Sequence, residues 1–104
     1  MQDLILYFHQ DGGHTWLKVS KDTFNQTNLT MRHISSYSYH DNKNYYLEED
    51  VDATLYLNNL KDQNINFSFI YVDDGDYSPI RHLPRVEMVS GLLKEPKQLV
   101  LRGF

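Results

Sequence analysis

The stretch LILYFHQDGGHTWLKV, residues 4–19, decides the fold that the rest of the sequence completes. Residues 4–8 form a continuous apolar run of strand length, which is typical of a strand buried on both faces. The Asp11-Gly12 pair is a tight-turn signal, and residues 16–19 resume as a second strand. Together these residues predict a β-hairpin at the start of the chain.

Further elements extend this hairpin into a mixed domain. In chain order they are a short helix over residues 21–28, a second hairpin over 36–48, a helix over 51–62 with Asp50 as its N-cap, and a strand over 66–72. The order β-β-α-β-β-α-β predicts an α+β domain, with a mostly antiparallel sheet of about five strands and one or two helices on one face. We expect this domain to span residues 1–85, with residues 86–104 as a C-terminal tail.

Composition and charge limit what the domain can bind. The chain has 104 residues and no cysteine, which excludes disulfides, thiolate metal sites and cysteine nucleophiles. Residues 41–76 hold nine acidic residues against two lysines, a net charge of −7, whereas residues 77–104 carry +3. An acidic centre makes duplex DNA a poor partner and favours a basic protein surface or a cation. Because no apolar run could span a bilayer and the N-terminus lacks signal-peptide features, we expect a cytoplasmic protein without membrane contact.

The turn of the first hairpin holds the strongest candidate site. His9, Asp11 and His14 offer two imidazoles and a carboxylate, a ligand mixture that zinc, manganese and iron accept. A hairpin can bring His9 and His14 together as cross-strand neighbours. The same residues also fit a structural role, in which Asp11 accepts backbone hydrogen bonds and the histidines pair locally. The sequence leaves both interpretations open.

Two charged groups are further binding candidates. Glu48, Glu49 and Asp50 form an acidic cluster with Asp52, and such a cluster either binds a divalent cation or stabilises a helix start. Arg81 follows a rigid Ser-Pro turn. Its guanidinium can clamp a phosphate or carboxylate, or it can pair with the acidic loop just upstream.

Tyrosines on the second hairpin are the last candidates. Tyr37 and Tyr39 lie on a predicted strand, and exposed tyrosines on a sheet are typical of protein interfaces and of single-stranded nucleic-acid platforms. The acidic surroundings favour the protein interface. Since no nucleotide-binding, nucleophile-elbow or zinc-finger motif occurs, we expect no catalytic residue and no cofactor, with a divalent metal at the first turn as the alternative.

Four segments, taken together, resemble a group of small uncharacterised proteins encoded by bacteriophages, plasmids and other mobile elements. The segments are residues 7–19, 34–39, 46–53 and 78–81. In that group the first segment reads His-x-Asp-Pro-Gly-His-x-Trp-Leu-x-Val, and Gly12 stands here in place of the proline. The resemblance covers about residues 4–81 and implies a mobile-element setting, in which small acidic proteins often bind and block host defence machinery.

These observations favour a protein that binds and blocks a host protein, for example an anti-CRISPR or other anti-defence inhibitor acting on a nucleic-acid-binding complex. The alternative is a small metal-dependent enzyme or metal-binding module that uses His9, Asp11 and His14. A third interpretation is a nucleotide or small-molecule binder, in which Arg81, His82 and the first turn hold an anion.

Overall fold

The predicted first hairpin consists of β1 (Leu4–Gln10) and β2 (Thr15–Ser20) in the computed structural model, which describes residues 4–87. The other elements are α1 (Lys21–Phe24), β3 (Tyr39–His40), β4 (Asn44–Glu48), α2 (Thr54–Asp62) and β5 (Phe67–Asp73), with 3₁₀ turns at Met31–His33 and Pro79–His82 and a π-helical turn at Glu49–Ala53. The α+β class and the five-stranded sheet are therefore confirmed.

The sheet has the strand order β3-β4-β2-β1-β5 and is mixed, not purely antiparallel. Three neighbouring pairs are antiparallel, but β5 pairs with β1 in parallel, from Leu4 opposite Phe67 to Gln10 opposite Asp73. A helix is the usual connection that lets a chain reach a distant strand position in the same sheet. Here α2 follows β4 and leads the chain to β5, at the far side of β1.

The main core lies on the side of the sheet that faces α2. Leu6 and Phe8 of β1 point into it, together with Leu17 of β2. The expectation that β1 is buried on both faces is wrong, because the alternate residues Ile5 and Tyr7 are 53% and 42% exposed. β1 therefore has the period-two burial of a strand with one covered face.

A smaller cluster covers part of the opposite face. It contains Trp16, Tyr39, Tyr46 and Ile80, with Leu83 packed against it. The segment after β5 reaches this face, because a 3₁₀ turn starts at Pro79 and Arg85 then forms an antiparallel bridge with Tyr39. Val86, the first residue of the predicted tail, is fully buried in the main core; residues 88–104 of that tail lie outside the described residues.

The helices depart from the sequence prediction at their ends. α1 covers only Lys21–Phe24, and the weak helix formers that follow do not extend it to residue 28. Glu48, not Asp50, caps the turn that leads into α2: its carboxylate accepts hydrogen bonds from the N–H groups of Asp50 and Val51 at 2.9 and 3.0 Å. A glutamate side chain at the end of β4 is long enough to return to these unpaired donors.

The second hairpin is shorter than predicted, since β3 contains only Tyr39–His40. The preceding residues instead bind the buried carboxylate of Asp52. Its Oδ2 accepts hydrogen bonds from the N–H and hydroxyl of Ser35, at 3.0 and 2.7 Å, and from the hydroxyl of Ser38. These contacts hold residues 35–38 in a compact loop, so residues 36–38 do not belong to β3 as predicted.

Candidate functional site

The carboxylate of Asp11 organises the first turn. Its Oδ1 accepts hydrogen bonds from the backbone N–H groups of Gly13 and His14, at 2.9 and 3.0 Å. Its Oδ2 accepts a third, from the N–H of Ser78 at 2.8 Å. Asp11 therefore has the structural role that the sequence left open, and it also joins the turn to a segment far along the chain.

Arg81 forms a bidentate ion pair with the same carboxylate. Its Nε donates to Asp11 Oδ2 at 2.6 Å and its Nη2 donates to Oδ1 at 2.9 Å. The Asp11 side chain has no solvent-accessible surface, whereas that of Arg81 is 21% exposed. The Arg81 guanidinium is the main reason why the pKa of Asp11 lies well below its usual range, and Asp11 in turn raises the pKa of Arg81. Arg81 therefore has the predicted role of clamping a carboxylate, and this carboxylate belongs to Asp11 of the same chain.

The two histidines of the turn do not meet. His9 lies opposite Trp16 in the register of the hairpin, while His14 belongs to the turn and packs against Trp16 with 5.8 Å between ring centroids. The N–H of Asp11 donates to the carbonyl of His14 across the turn. His14 therefore lies in the turn and cannot be the cross-strand neighbour of His9. His9 Nδ1 instead lies 3.2 and 3.3 Å from the carboxylate oxygens of Asp74.

The predicted metal shells are not assembled in the described part of the chain. The oxygens of Asp11 already accept five hydrogen bonds from Arg81 and three backbone N–H groups. In the acidic cluster, Glu48 caps the π-helical turn, Asp52 is buried, and Glu49 and Asp50 are exposed. Within residues 4–87, no three histidine, aspartate or glutamate side chains lie close enough together to hold a metal ion.

A cleft of about 460 Å³ opens beside the Arg81 guanidinium. Its lining residues are His14, Trp16, Tyr37, Tyr39, Glu48, Asp50, Val51, Arg81 and Arg85. Six of these, all except Trp16, Val51 and Arg85, are predicted binding residues. The other predicted residues, His9, Asp11 and Glu49, do not line it, although Asp11 fixes the position of Arg81.

The cationic lining of the cleft is held in place by contacts within the chain. The Arg81 guanidinium lies 5.3 Å from the ring centroid of Trp16 and 5.1 Å from that of Tyr77. Arg85 donates from Nη1 to the carbonyl of Ser36 at 3.1 Å and lies 5.2 Å from the ring centroid of Tyr39. Each arginine is thus fixed by a hydrogen bond and by an aromatic face.

The acidic and apolar lining comes from another segment. Glu48 and Asp50 lie at the start of the π-helical turn, beside Val51, which is 57% exposed. Tyr37 contributes an aromatic ring that is 65% exposed. The cleft therefore offers positive charge from residues 81–85, negative charge from residues 48–50, and accessible apolar surface beside both.

Three lining residues, Trp16, Val51 and Arg85, are not among the predicted binding residues. Trp16 is only 2% exposed although it borders the cleft, so most of its ring belongs to the interior. Val51 is the first residue of the predicted helix over residues 51–62, with no sequence feature that marks it for binding. Arg85 follows Pro84 at the edge of the predicted domain, and its bridge to Tyr39 has no local sequence signal because 45 intervening residues separate the two.

Gly13 tests how closely the turn fits against Arg81. A Cβ at Gly13 would lie 3.1 Å from Arg81 Nη2, whereas a Cβ at Gly12 would meet only the carbonyl oxygen of Asp76, at 3.5 Å. We expect Gly13→Ala to destabilise the protein by about 1 kcal/mol through overpacking against the ion pair. Gly12→Ala should be neutral or stabilising by about 0.4–1 kcal/mol, because it only restricts the unfolded chain. Urea unfolding of both variants is the measurement, and equal effects would show that Arg81 can move aside freely.

Comparison with known proteins assigns no function to this cleft. None of the helices in residues 4–87 has the length and hydropathy that crossing a membrane requires. No protein-family model matches the chain, and no curated protein or solved structure is significantly similar to it.

Proposed function

We propose that this chain is a binding protein that blocks a host protein, and that the cleft is its contact site. The mobile-element setting, and with it the role of an anti-defence inhibitor, rests on the resemblance of four sequence segments. The binding role rests on the cleft, whose residue types and fixed geometry suit the recognition of another protein.

The residue types of the cleft are those that carry most of the energy in protein interfaces. Tryptophan, tyrosine and arginine are enriched among residues whose truncation weakens a complex most. The lining contains Trp16, two tyrosines and two arginines. Tyr37, the more exposed of the two tyrosines, can contribute a large contact area with only two side-chain torsions to immobilise.

The geometry of the cleft lowers the entropy lost on binding. Long side chains at an interface usually lose about 0.5–1.5 kcal/mol each when they become ordered. Arg81 is already fixed by Asp11, and Arg85 by the Ser36 carbonyl. The π-helical turn beside them is also a feature found frequently at functional sites.

The charges favour one kind of partner segment. Asp11 balances Arg81, so the charges that remain along the cleft are those of Glu48, Asp50 and Arg85. A segment with an apolar anchor for Tyr37 and Val51, and a basic residue for the acidic end, fits this arrangement. Basic surface segments are common in proteins that bind nucleic acid, which agrees with a defence complex as target.

The exposed ring of Tyr37 at the cleft is the main observation behind the proposal, and removal of this ring tests it. The tagged full-length chain is expressed in a bacterial host that carries several defence systems, and bound proteins are recovered. We expect Tyr37→Ala to lower recovery of the bound host protein by at least about tenfold, the effect of losing one strong interface contact. Tyr7→Ala, which removes a half-exposed tyrosine away from the cleft, should leave recovery unchanged.

A second pair of variants distinguishes a specific contact at the cleft from a general effect of the protein's charge on binding. Arg85→Ala removes a cleft cation and Arg32→Ala removes an exposed cation in the 3₁₀ turn at Met31–His33. Loss of the partner with Arg85→Ala alone supports the proposal. Equal loss with both variants, or full recovery with Tyr37→Ala, shows that the cleft is not the contact site.

A further inference from the structure

The two edges of the sheet differ. At the β3 edge, Tyr39 bridges to Arg85 and the N–H of His40 donates to the carbonyl of Pro84 at 3.0 Å, so a later part of the chain covers this side. At the other edge, β5 has β1 as its only strand neighbour among residues 4–87. Its outer side therefore presents a row of backbone donors and acceptors that no described strand pairs.

β5 also lacks the features with which proteins usually protect an edge strand. Lysine, proline, a bulge or an inward-pointing charge normally prevents pairing with another chain. The sequence FSFIYVD of β5 contains no lysine, proline or glycine, and its one charge is Asp73 at the end. Phe69, Ile70 and Tyr71 are 38%, 44% and 58% exposed, so apolar side chains project from both faces of this edge.

We propose that β5 pairs antiparallel with β5 of a second copy of this chain, so that two five-stranded sheets become one sheet across a two-fold axis. Such an interface uses the same patch on both copies and must be self-complementary. Pairing over the full strand places its middle residue, Ile70, opposite the same residue of the second copy. Phe69 of each copy then faces Tyr71 of the other, which gives aromatic cross-strand pairs.

The acidic end of β5 favours this orientation over a parallel one. In the antiparallel pair the two Asp73 residues are six positions apart, about 20 Å at the usual rise along a strand. That separation exceeds the screening length of about 8 Å at physiological salt. A parallel pair would place the two Asp73 side chains, and the neighbouring Asp74 pair, next to each other, which is destabilising. Antiparallel pairing instead brings Asp73 near Phe67 and Asn66, which carry no charge.

The competing occupant of this edge is residues 98–102 of the same chain, QLVLR, which lie outside the described residues. The described chain ends just after Val86, on the side where Arg85 bridges to β3. β3 and β5 are four strand spacings apart in the sheet, about 19 Å. A second copy needs no such crossing, and the experiment separates the two occupants.

Single cysteines test the register, because the native chain contains none. Residues directly opposite in an antiparallel pair have Cα atoms about 4.5–5.5 Å apart, within the range of a disulfide. Under mild oxidation we expect the full-length Ile70→Cys variant to form a covalent dimer. Tyr71→Cys is the matched control: its two copies would be about 8 Å apart, too far to bridge, so this variant should stay largely uncrosslinked.

Charge substitutions test the same contact without a covalent bond. We expect the wild-type chain to sediment as a dimer at micromolar concentration, and Ile70→Lys and Ile70→Glu each to sediment as monomers with unchanged circular dichroism. An equimolar mixture of these two variants should recover the dimer, because opposite charges then face each other across the axis.

The outcomes distinguish the occupants. A monomeric wild type whose Ile70→Cys variant does not crosslink overturns the proposal and leaves residues 98–102 as the candidate for this edge. Crosslinking of Ile70→Cys and Tyr71→Cys at the same rate also overturns it, since that indicates random collision. The cleft lies elsewhere on the protein, so loss of the dimer is expected to leave binding of the host protein intact.

Discussion

Trp16→Ala is expected to destabilise the protein by about 3–5 kcal/mol, the range for removal of a buried tryptophan side chain. Trp16 is 2% exposed and belongs to the smaller cluster on the outer face of the sheet. Its ring meets that of Tyr39 edge-on at 5.9 Å between centroids and supports the Arg81 guanidinium. Truncation therefore leaves a cavity and removes one of the surfaces that fix Arg81. Urea unfolding should show a lower midpoint with an unchanged slope.

His14→Ala is the matched control for this prediction. His14 is exposed in the turn, although its ring also contacts Trp16. Its removal should change the free energy of unfolding by no more than about 0.5 kcal/mol, as is usual for surface positions. If His14→Ala were as destabilising as Trp16→Ala, His14 would be structural and a binding role for it would be wrong. A cost below about 1 kcal/mol for Trp16→Ala would show that the smaller cluster contributes little to stability.

Asp11→Asn is expected to have the second-largest effect, a loss of about 2–3 kcal/mol in the free energy of unfolding. The substitution keeps the shape of the side chain but replaces one acceptor oxygen with an NH₂ donor. Because the carboxylate accepts from Ser78, Arg81 and the turn itself, one side of the amide must then face another donor. Hydrogen bonds to charged groups contribute about 1.5–3 kcal/mol, and the side chain is excluded from solvent. Asp62→Asn, at an exposed position of α2, should have little effect.

The Asp11 contribution also has a defined pH dependence. Arg81 lowers the pKa of Asp11 in the folded protein below the value of about 3.9 expected for the unfolded chain. A carboxyl whose pKa is depressed by folding stabilises the protein fully above the unfolded pKa, and this contribution is lost as the pH falls further. The difference in stability between wild type and Asp11→Asn should therefore be constant above about pH 5 and shrink below pH 4. A difference that grows on acidification would contradict the ion pair.

The sequence by itself determined the parts of this protein that depend on neighbours along the chain. The apolar run of residues 4–8, the turn at Asp11 and the strand that contains Trp16 define the first hairpin, and the structure has it. The hydrogen bonds that Asp11 Oδ1 accepts from the N–H groups of Gly13 and His14 span two and three residues, so turn chemistry alone predicts them. The α+β class follows from the same local periodicities.

Other features were decided by which distant segments pack together, and only the tertiary structure shows them. Arg81 meets Asp11 across 70 positions, and β5 joins β1 in parallel because α2 carries the chain past the first hairpin. Glu48 is the cap instead of the predicted Asp50, because β4 ends at Glu48 and the Glu48 carboxylate lies over the unpaired N–H groups of the following turn. Local sequence patterns record the preferences of a segment, whereas these contacts depend on the positions of two segments at once. For that reason most residues of the cleft could be predicted from the sequence as binding residues, whereas the tertiary fold determines which of the predicted residues line the cleft.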